Sequence, residues 1–202
     1  METVVTGLFH EPEDATPLEP VERDGLLQSW IVNRNELNEA EQENIVKGAV
    51  WAKRLRKRNV EDLLTADFIC TLHQRMFNDV WGWAGDYRQT DRNIGIETCR
   101  IPIEIRSLVD DVRYWIAQQT YSPDEIAIHF HHRLVAIHPF PNGNGRLTRL
   151  IADLLIERLG RDVFTWGGNS LGDAGMLRAA YIAALKKADN GVVDDLVAFA
   201  RR

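Results

Sequence analysis

The sequence has 202 residues, 45% hydrophobic and 27% charged, which is typical of a globular domain and excludes a largely disordered chain. Its net charge of -6 argues against binding to the nucleic-acid backbone, and it has neither an apolar run long enough for a membrane span nor a basic secretory leader. Together with the length, this predicts one soluble, cytoplasmic domain. Cys70 and Cys99 are far apart and fit neither a disulfide framework nor a zinc site, so we expect both to be reduced.

The chain is predicted to begin with an extended arm. Residues 1–28 contain Pro12, Pro17 and Pro20, scattered acids and no apolar period. We therefore assign residues 1–28 to the arm and residues 29–202 to the folded domain.

Two helices are predicted after the arm. Apolar residues at intervals of three and four predict a long helix over residues 35–58, and its basic end suits the helix dipole. Thr65 is a suitable N-cap for a second helix, which ends before the Trp-Gly-Trp-Ala-Gly turn at 81–85.

A short β-hairpin is predicted between Tyr87 and Ile103. Gly95 lies there between Ile94 and Ile96, a pattern typical of two short strands around a turn. No further strand is predicted. The expected fold class is therefore an all-α helical bundle with one β-hairpin.

The clearest helix start is at residues 122–125, where Ser-Pro-Asp-Glu combines an N-cap, a proline in the first turn and a capping-box glutamate. This helix reaches His138, where two prolines prevent its continuation. Apolar spacing then resumes until Gly160, which can act as a C-cap. Two shorter helices, near 173–188 and 191–201, are predicted to close the chain.

The loop between these two strongly predicted helices has the composition of an anion site. Gly143 and Gly145 let a ligand approach the main chain, and their N–H groups with the positive helix end would hold phosphate. Arg146 and Arg149 are three residues apart and share a helix face, so both could reach one polyphosphate. His138 could take a proton from a hydroxyl at neutral pH. Together these residues favour catalysis on a phosphate-bearing ligand over a simple turn.

Residues 138–149 resemble the core motif of the Fic, or Fido, family. The family pattern His-x-Phe-x-(Asp/Glu)-Gly-Asn-Gly-Arg-x-x-Arg matches at every position except Asn142. The resemblance extends upstream to Leu72-His73 and to Trp83-Ala84-Gly85, which Arg88 follows. More narrowly, the sequence is similar to the Fic-type proteins called mobile mystery protein B.

This resemblance implies a Fic-type helical bundle and transfer of AMP from ATP to a Ser, Thr or Tyr hydroxyl of a target protein. His138 would be the general base, and Arg146 would neutralise the terminal phosphates with support from Arg149. The phosphates would be held by Gly143, Asn144 and Gly145.

The resemblance also assigns the predicted hairpin to the target protein. Ile94, Gly95 and Ile96 would form a flap that takes the target segment as an added strand, with one isoleucine as a clamp. In the family an acid at position 142 binds Mg²⁺, whereas Asn142 offers one neutral oxygen, so Mg²⁺ would be held mostly by phosphates and water.

Many Fic proteins are inhibited by a glutamate on a helix with the pattern (Ser/Thr)-x-x-x-Glu-(Gly/Asn). Here Glu43 precedes an asparagine, but Glu39 stands where Ser or Thr is expected. Glu39 and Glu43 are therefore the inhibitory candidates. If neither inhibits, control would come from a separate antitoxin-like partner, as in a toxin–antitoxin pair.

Three alternatives remain open at this point. A phosphotransferase would use the same residues with the nucleotide reversed, and the neutral Asn142 favours a non-catalytic nucleotide-binding protein. A metal hydrolase is indicated only by His129, His131 and His132, which lack a matching carboxylate motif. Five tryptophans are expected to be core or turn anchors: Trp51, Trp81, Trp83, Trp115 and Trp166.

Overall fold

The computed structural model describes residues 18–55, 59–168 and 174–202 of the chain. Over these ranges the regular structure is helical, with one 3-10 turn at Thr98–Arg100, and none of the described residues forms a strand. The helices are α1 (Pro20–Arg23), α2 (Arg34–Arg54), α3 (Val60–Leu63), α4 (Ala66–Phe77), α5 (Ile101–Gln118), α6 (Pro123–Ile137), α7 (Asn144–Arg158), α8 (Ala174–Ala188) and α9 (Asp194–Arg201). The all-α prediction is confirmed.

The predicted β-hairpin between Tyr87 and Ile103 is wrong, because the chain forms an irregular loop there and Ile101 already begins α5. The carbonyl oxygens of Thr90 and Ile96 both accept hydrogen bonds from the Arg88 side chain. A side chain thus satisfies main-chain groups that a hairpin would pair across two strands.

The centre of the fold is the antiparallel pair α6 and α7. The predicted capping box at Ser122 is confirmed, with Glu125 N donating to the Ser122 hydroxyl and Ser122 N donating to the Glu125 carboxylate. Helix α7 ends with Leu159 as its C-cap, and the predicted Gly160 follows directly at φ +78°, the left-handed conformation that glycine favours after a helix. The predicted apolar faces are buried at Ile126, Phe130, Leu134, Ile137, Leu147, Ile151, Leu154 and Leu155.

Helix α2 packs closely on α4. It starts one residue before the predicted position, with Asn33 as N-cap, and residues 56–58 of the prediction lie outside the described residues. A Cβ on Gly48 would lie 2.8 Å from the carbonyl oxygen of Arg75, so glycine allows this approach. Asn44 donates to the same carbonyl and accepts from Asp79 N, which fixes α2 against the end of α4.

The described part of the N-terminal segment packs on the domain. Residues 1–17 lie outside the described residues, and within 18–28 the chain is not extended throughout, because Pro20–Arg23 forms α1. Leu18 is buried, and Arg92 pairs with Glu22. The boundary at residue 28 remains a prediction. None of the helices in the described ranges is long and apolar enough to cross a membrane.

Candidate active site

A cavity of about 710 Å³ opens beside the start of α7. It lies between α2, the loop that joins α6 to α7, and α8. Its volume falls within the range of small-molecule sites. The described lining residues include one carboxylate, Glu41, and the arginines Arg34, Arg146, Arg149 and Arg178, so the cavity favours an anionic ligand.

His138 lies at the end of α6 and lines this cavity. It is the C-cap of α6, with φ 52° and ψ 61°, the left-handed conformation that turns the chain sharply out of the helix. Burial, followed by the charges of Arg88 and Arg92, lowers the pKa of His138 to about 4. The imidazole is therefore neutral at pH 7 and can accept a proton.

The loop after His138 is held in shape by its own side chains. Asn144 accepts a hydrogen bond from Phe140 N at 3.0 Å and donates to Phe140 O at 2.7 Å. Its amide is therefore committed to closing the loop, and only the main chain of Asn144 remains for phosphate. Phe140 anchors the loop, because its ring is fully buried.

The two glycines of the loop differ in their surroundings. Gly143 has φ +77°, and a Cβ there would lie 2.5 Å from the ring of Phe77, so only glycine fits. A Cβ on Gly145 would meet nothing within 4 Å. Helix geometry leaves the N–H groups of Asn144 and Gly145, the first residues of α7, without intrahelical acceptors. Since both residues line the cavity, their N–H groups are available to an anionic ligand there.

His73 connects this loop to the Trp-Ala-Gly turn. Its Nδ1 accepts from Gly85 N at 2.9 Å, so its Nε2 carries the proton and donates to Asn142 O at 3.1 Å. Burial lowers the pKa of His73 to about 3, which keeps the ring neutral. The ring stacks on Phe140 with centroids 3.8 Å apart. His73 thus holds the anion loop in place through Asn142 and Phe140.

Glu41 is a site residue that the sequence did not reveal. Its carboxylate accepts from Arg146 Nη1 at 2.6 Å and from Trp81 Nε1 at 2.8 Å, and its side chain is only 3% exposed. Arg146 Nη2 also lies 3.4 Å from Asn142 Oδ1. The first arginine of the motif is therefore bound by a buried acid of α2.

Glu39 and Glu43 lie away from the cavity. Both are exposed, and Glu43 pairs with Lys47 at 3.0 Å on the surface of α2. A signal for Glu41 was present, because it shares one helix face with the buried residues Leu37 and Asn44. A charged residue on a buried face usually has a specific partner.

Arg149 reaches the same cavity against an aromatic wall. Its guanidinium lies 5.4 Å from the ring centroid of Tyr181, whose hydroxyl is 3.0 Å from His131 Nε2. Trp166 lines the cavity in a left-handed conformation, with φ 52°, and donates through Nε1 to Asp153. Burial raises the pKa of Asp153 to about 6. Trp166 lies in a turn and packs against the core, as the sequence predicted, and it also lines the cavity.

The three predicted flap residues, Ile94, Gly95 and Ile96, lie over His138 and form a loop instead of a strand. Ile94 lines the cavity, and Ile96 N donates to Ile137 O at 3.4 Å. A Cβ on Gly95 would lie 2.7 Å from His138 Cβ. The structure thus brings the flap residues and His138 together.

The clustered histidines have separate surroundings. His131 contacts Tyr181, and His132 lies 2.8 Å from Asp189. His129 packs between Trp115 and Tyr121. Within residues 18–55, 59–168 and 174–202, no three His, Cys, Asp or Glu side chains are grouped to hold a metal ion.

Comparisons with known proteins agree with this geometry. Residues 63–156 match the model of the Fic/DOC family. The chain is 32% identical over 103 residues to protein adenylyltransferase fic-1 of Caenorhabditis elegans. The matched segment covers 49% of this chain and 20% of that protein. The chain therefore spans about a fifth of the length of the curated relatives that it matches.

Solved structures show the same fold. Fic-1 of C. elegans (residues 134–508) superposes with a TM-score of 0.59 at 26% identity, over 80% of this chain and 47% of that one. BepC of Bartonella tribocorum, an effector crystallised with AMPPNP, superposes with a TM-score of 0.66 at 21% identity, over 91% and 97% of the two chains.

Proposed function

We propose that this chain, whose residues 63–156 form a Fic/DOC family domain, transfers AMP from ATP to a Ser, Thr or Tyr hydroxyl of a target protein. The observation that carries the proposal is the position of a neutral His138 in one cavity with Arg146, Arg149 and the N–H groups that begin α7, which have no intrahelical acceptors. Such a site binds a polyphosphate and removes a proton from an attacking hydroxyl.

The proposed reaction balances with groups of the chain. The target hydroxyl oxygen attacks the α-phosphorus of ATP, its proton passes to the imidazole of His138, and the bond between the α-phosphorus and the bridging oxygen breaks. Pyrophosphate leaves with the bonding electrons. Its charge is met by the N–H groups of Asn144 and Gly145 and by Arg146, which is the electrostatic stabilisation that phosphoryl chemistry depends on.

The apolar side of the cavity suits the nucleobase. Trp166 and Tyr181 offer aromatic surface, and Leu177 and Ile182 of α8 add aliphatic surface beside them. If the adenine of ATP lies against this surface, its triphosphate extends past Arg149 toward the start of α7. The proposal therefore assigns the two sides of the cavity to the two halves of ATP.

Among the residues that the structure describes, Asn142 and Glu41 do not form a site for Mg²⁺ at the cavity. Asn142 Oδ1 accepts from Gly143 N at 2.6 Å, and Glu41 is bound to Arg146, so neither oxygen is turned toward a shared cation. Hard cations prefer several charged oxygens. Mg²⁺ supplied with ATP would be held by the triphosphate.

Glu41 is the residue that we propose to restrain the site, in place of Glu39 and Glu43. Its ion pair draws Arg146 away from a ligand, so ATP must compete with a buried carboxylate for the guanidinium. This restraint lies in the chain itself and needs no antitoxin-like partner. A cytoplasmic setting, where ATP is plentiful, suits the proposed donor.

The test uses ATP labelled separately at the α and γ phosphates, incubated with the protein, Mg²⁺ and cell extract. We expect protein-bound label from the α position only. Label from the γ position only would replace the proposal with phosphotransfer. Label from neither position, together with measurable ATP binding, would instead indicate a non-catalytic nucleotide-binding protein.

A further inference from the structure

Arg88 is a buried cation outside the cavity. Its side chain is 0% exposed, and its ion pair with Asp91 is long, at 3.8 Å. A buried charge is costly unless its hydrogen-bonding groups are satisfied. The hydrogen-bond partners of the guanidinium must therefore compensate for its burial.

The guanidinium binds main-chain carbonyls from two separate segments. Nε donates to His138 O at 2.7 Å, Nη1 donates to Thr90 O at 2.8 Å, and Nη2 donates to Ile96 O. The main chain continues this connection, because Arg88 N donates to Pro139 O at 2.9 Å. One planar group thus spans the loop over residues 89–97 and the turn that carries the base.

This connection leaves little room between the loop and the base. A Cβ on Gly95 would lie 2.7 Å from His138 Cβ, 2.9 Å from Arg88 Nη2 and 3.2 Å from Ile137 O. Gly95 itself has φ +87°, a conformation that glycine adopts without strain. The loop is therefore seated directly on the residue whose left-handed backbone sets the direction of the imidazole.

We infer that Arg88 is a positioning residue that fixes the orientation of His138 and joins the target-facing loop to it as one unit. The inference rests on the proposed function, in which His138 is the base. Displacing the loop would then misplace the base, and an altered base would change how the loop receives the target.

A purely stabilising role for Arg88 predicts something different. Loss of its hydrogen bonds would then lower the melting temperature without changing the environment of His138 in the folded protein. The two roles are separable, because the imidazole can be observed by NMR and its pKa is low in the intact site.

The experiment compares Arg88→Lys with Gly95→Ala and with a control, Arg113→Lys. A lysine nitrogen cannot span three carbonyls as the guanidinium does. Gly95 is exposed, so its alanine variant moves the loop without removing a buried group. Arg113 also donates to a main-chain carbonyl, Leu64 O at 2.7 Å, away from the cavity.

We expect both site variants to shift the His138 resonances and raise its pKa from about 4 toward the ordinary value of 6.5, because water gains access to the ring. We also expect kcat for AMP transfer to fall about 100-fold, the scale of a 1 Å misplacement, with KM for ATP little changed. Arg113→Lys should leave the pKa of His138 and kcat for AMP transfer unchanged.

Unchanged His138 resonances and pKa in both folded variants would overturn the inference, whatever happens to activity. If the wild-type protein transfers no AMP, the proposed function fails, and the NMR comparison still decides whether Arg88 positions His138. A fall in kcat with an unperturbed His138 would also overturn the positioning role.

Discussion

The floor and the rim of the cavity are held in different ways. The floor, residues 138–149, is closed largely by short-range bonds such as those between Asn144 and Phe140, four residues apart. The rim, formed by Glu41 and by the loop around Ile94, is joined to the floor by long-range bonds. Arg146 and Glu41 are 105 residues apart, and Arg88 and His138 are 50 apart.

This difference separates the chemistry from its control. A floor built from neighbouring residues keeps the shape of the anion loop between α6 and α7, whereas the orientation of His138 also depends on Arg88. The ion pair between Glu41 and Arg146 can be removed without changing the bonds that close the anion loop. This division between short-range and long-range bonds can be tested by substitution.

The largest effect is expected at the floor, for Gly145→Ala. The new methyl group meets no protein atom within 4 Å, so the free energy of unfolding should hold or rise slightly. The same methyl group narrows the anion site, and AMP transfer should fall about 100-fold. Kinetic assays and thermal unfolding on one sample measure both.

Gly143→Ala is the matched control for that variant. Its positive φ alone should cost about 1–2 kcal/mol, and the contact with Phe77 adds to this. Equal destabilisation by the two alanines would contradict the division of roles between the glycines.

His73→Phe tests a long-range support of the floor. Phenylalanine preserves stacking on Phe140 but leaves Gly85 N and Asn142 O without the imidazole. Unsatisfied buried groups cost about 1–3 kcal/mol each. Because Gly85 and Asn142 are half-buried, we expect the low end for both, so denaturant unfolding should show a loss of about 2 kcal/mol in total. His132→Phe, which alters a contact with the exposed Asp189, should change stability by less than about 0.5 kcal/mol.

At the rim, Glu41→Gln should raise activity. Glutamine keeps the acceptor for Trp81 Nε1 and removes the charge that binds Arg146. If about 1.4 kcal/mol of competition is released, KM for ATP falls roughly tenfold. The control is Glu43→Gln, because Glu43 pairs with Lys47 on the surface and should leave KM unchanged. A higher KM in Glu41→Gln would show that Glu41 orients Arg146 productively.

The smallest effect is expected from pH. Since the folded pKa of His138 is about 4, the base stays unprotonated from pH 7.5 to pH 5.5, and AMP transfer should be nearly constant over that range. A histidine with the ordinary pKa of about 6.5 would lose roughly nine tenths of its free base by pH 5.5. A rate that falls with an apparent pKa near 6.5 would contradict the buried position of His138.

The free energy of unfolding should decrease as the pH falls below 6.5. The pKa values of His73 and His131 are lowered by burial to about 3 in the folded protein, below the unfolded value of 6.5. Their contribution is therefore fully present above pH 6.5 and is lost as the pH falls from 6.5 toward 3. Denaturant unfolding at pH 7 and pH 5 measures the loss.

The same division explains what the sequence could predict. The α6 start, the turn at His138 and the glycines were readable because capping residues, prolines and glycines act on their near neighbours. The hairpin prediction failed because the carbonyls of Thr90 and Ile96 bind the side chain of Arg88, which no local pattern indicates.

Contacts at the cavity between distant segments could not be predicted for the same reason. Glu39 and Glu43 fit a linear pattern, whereas the ion pair of Glu41 depends on which face of α2 meets Arg146. Trp166 lies in a turn and packs on the core, as expected, but its place in the cavity depends on α8 and on the bond to Asp153.

The most direct test of the account is transfer of α-labelled ATP in Glu41→Gln protein with and without the further change His138→Ala. The single variant lacks the proposed restraint by Glu41. The double variant differs from it only in lacking the imidazole of His138. We predict at least about 100-fold less protein-bound label in the double variant, at an unchanged melting temperature. Equal labelling by the two proteins would contradict the assignment of His138 as the base.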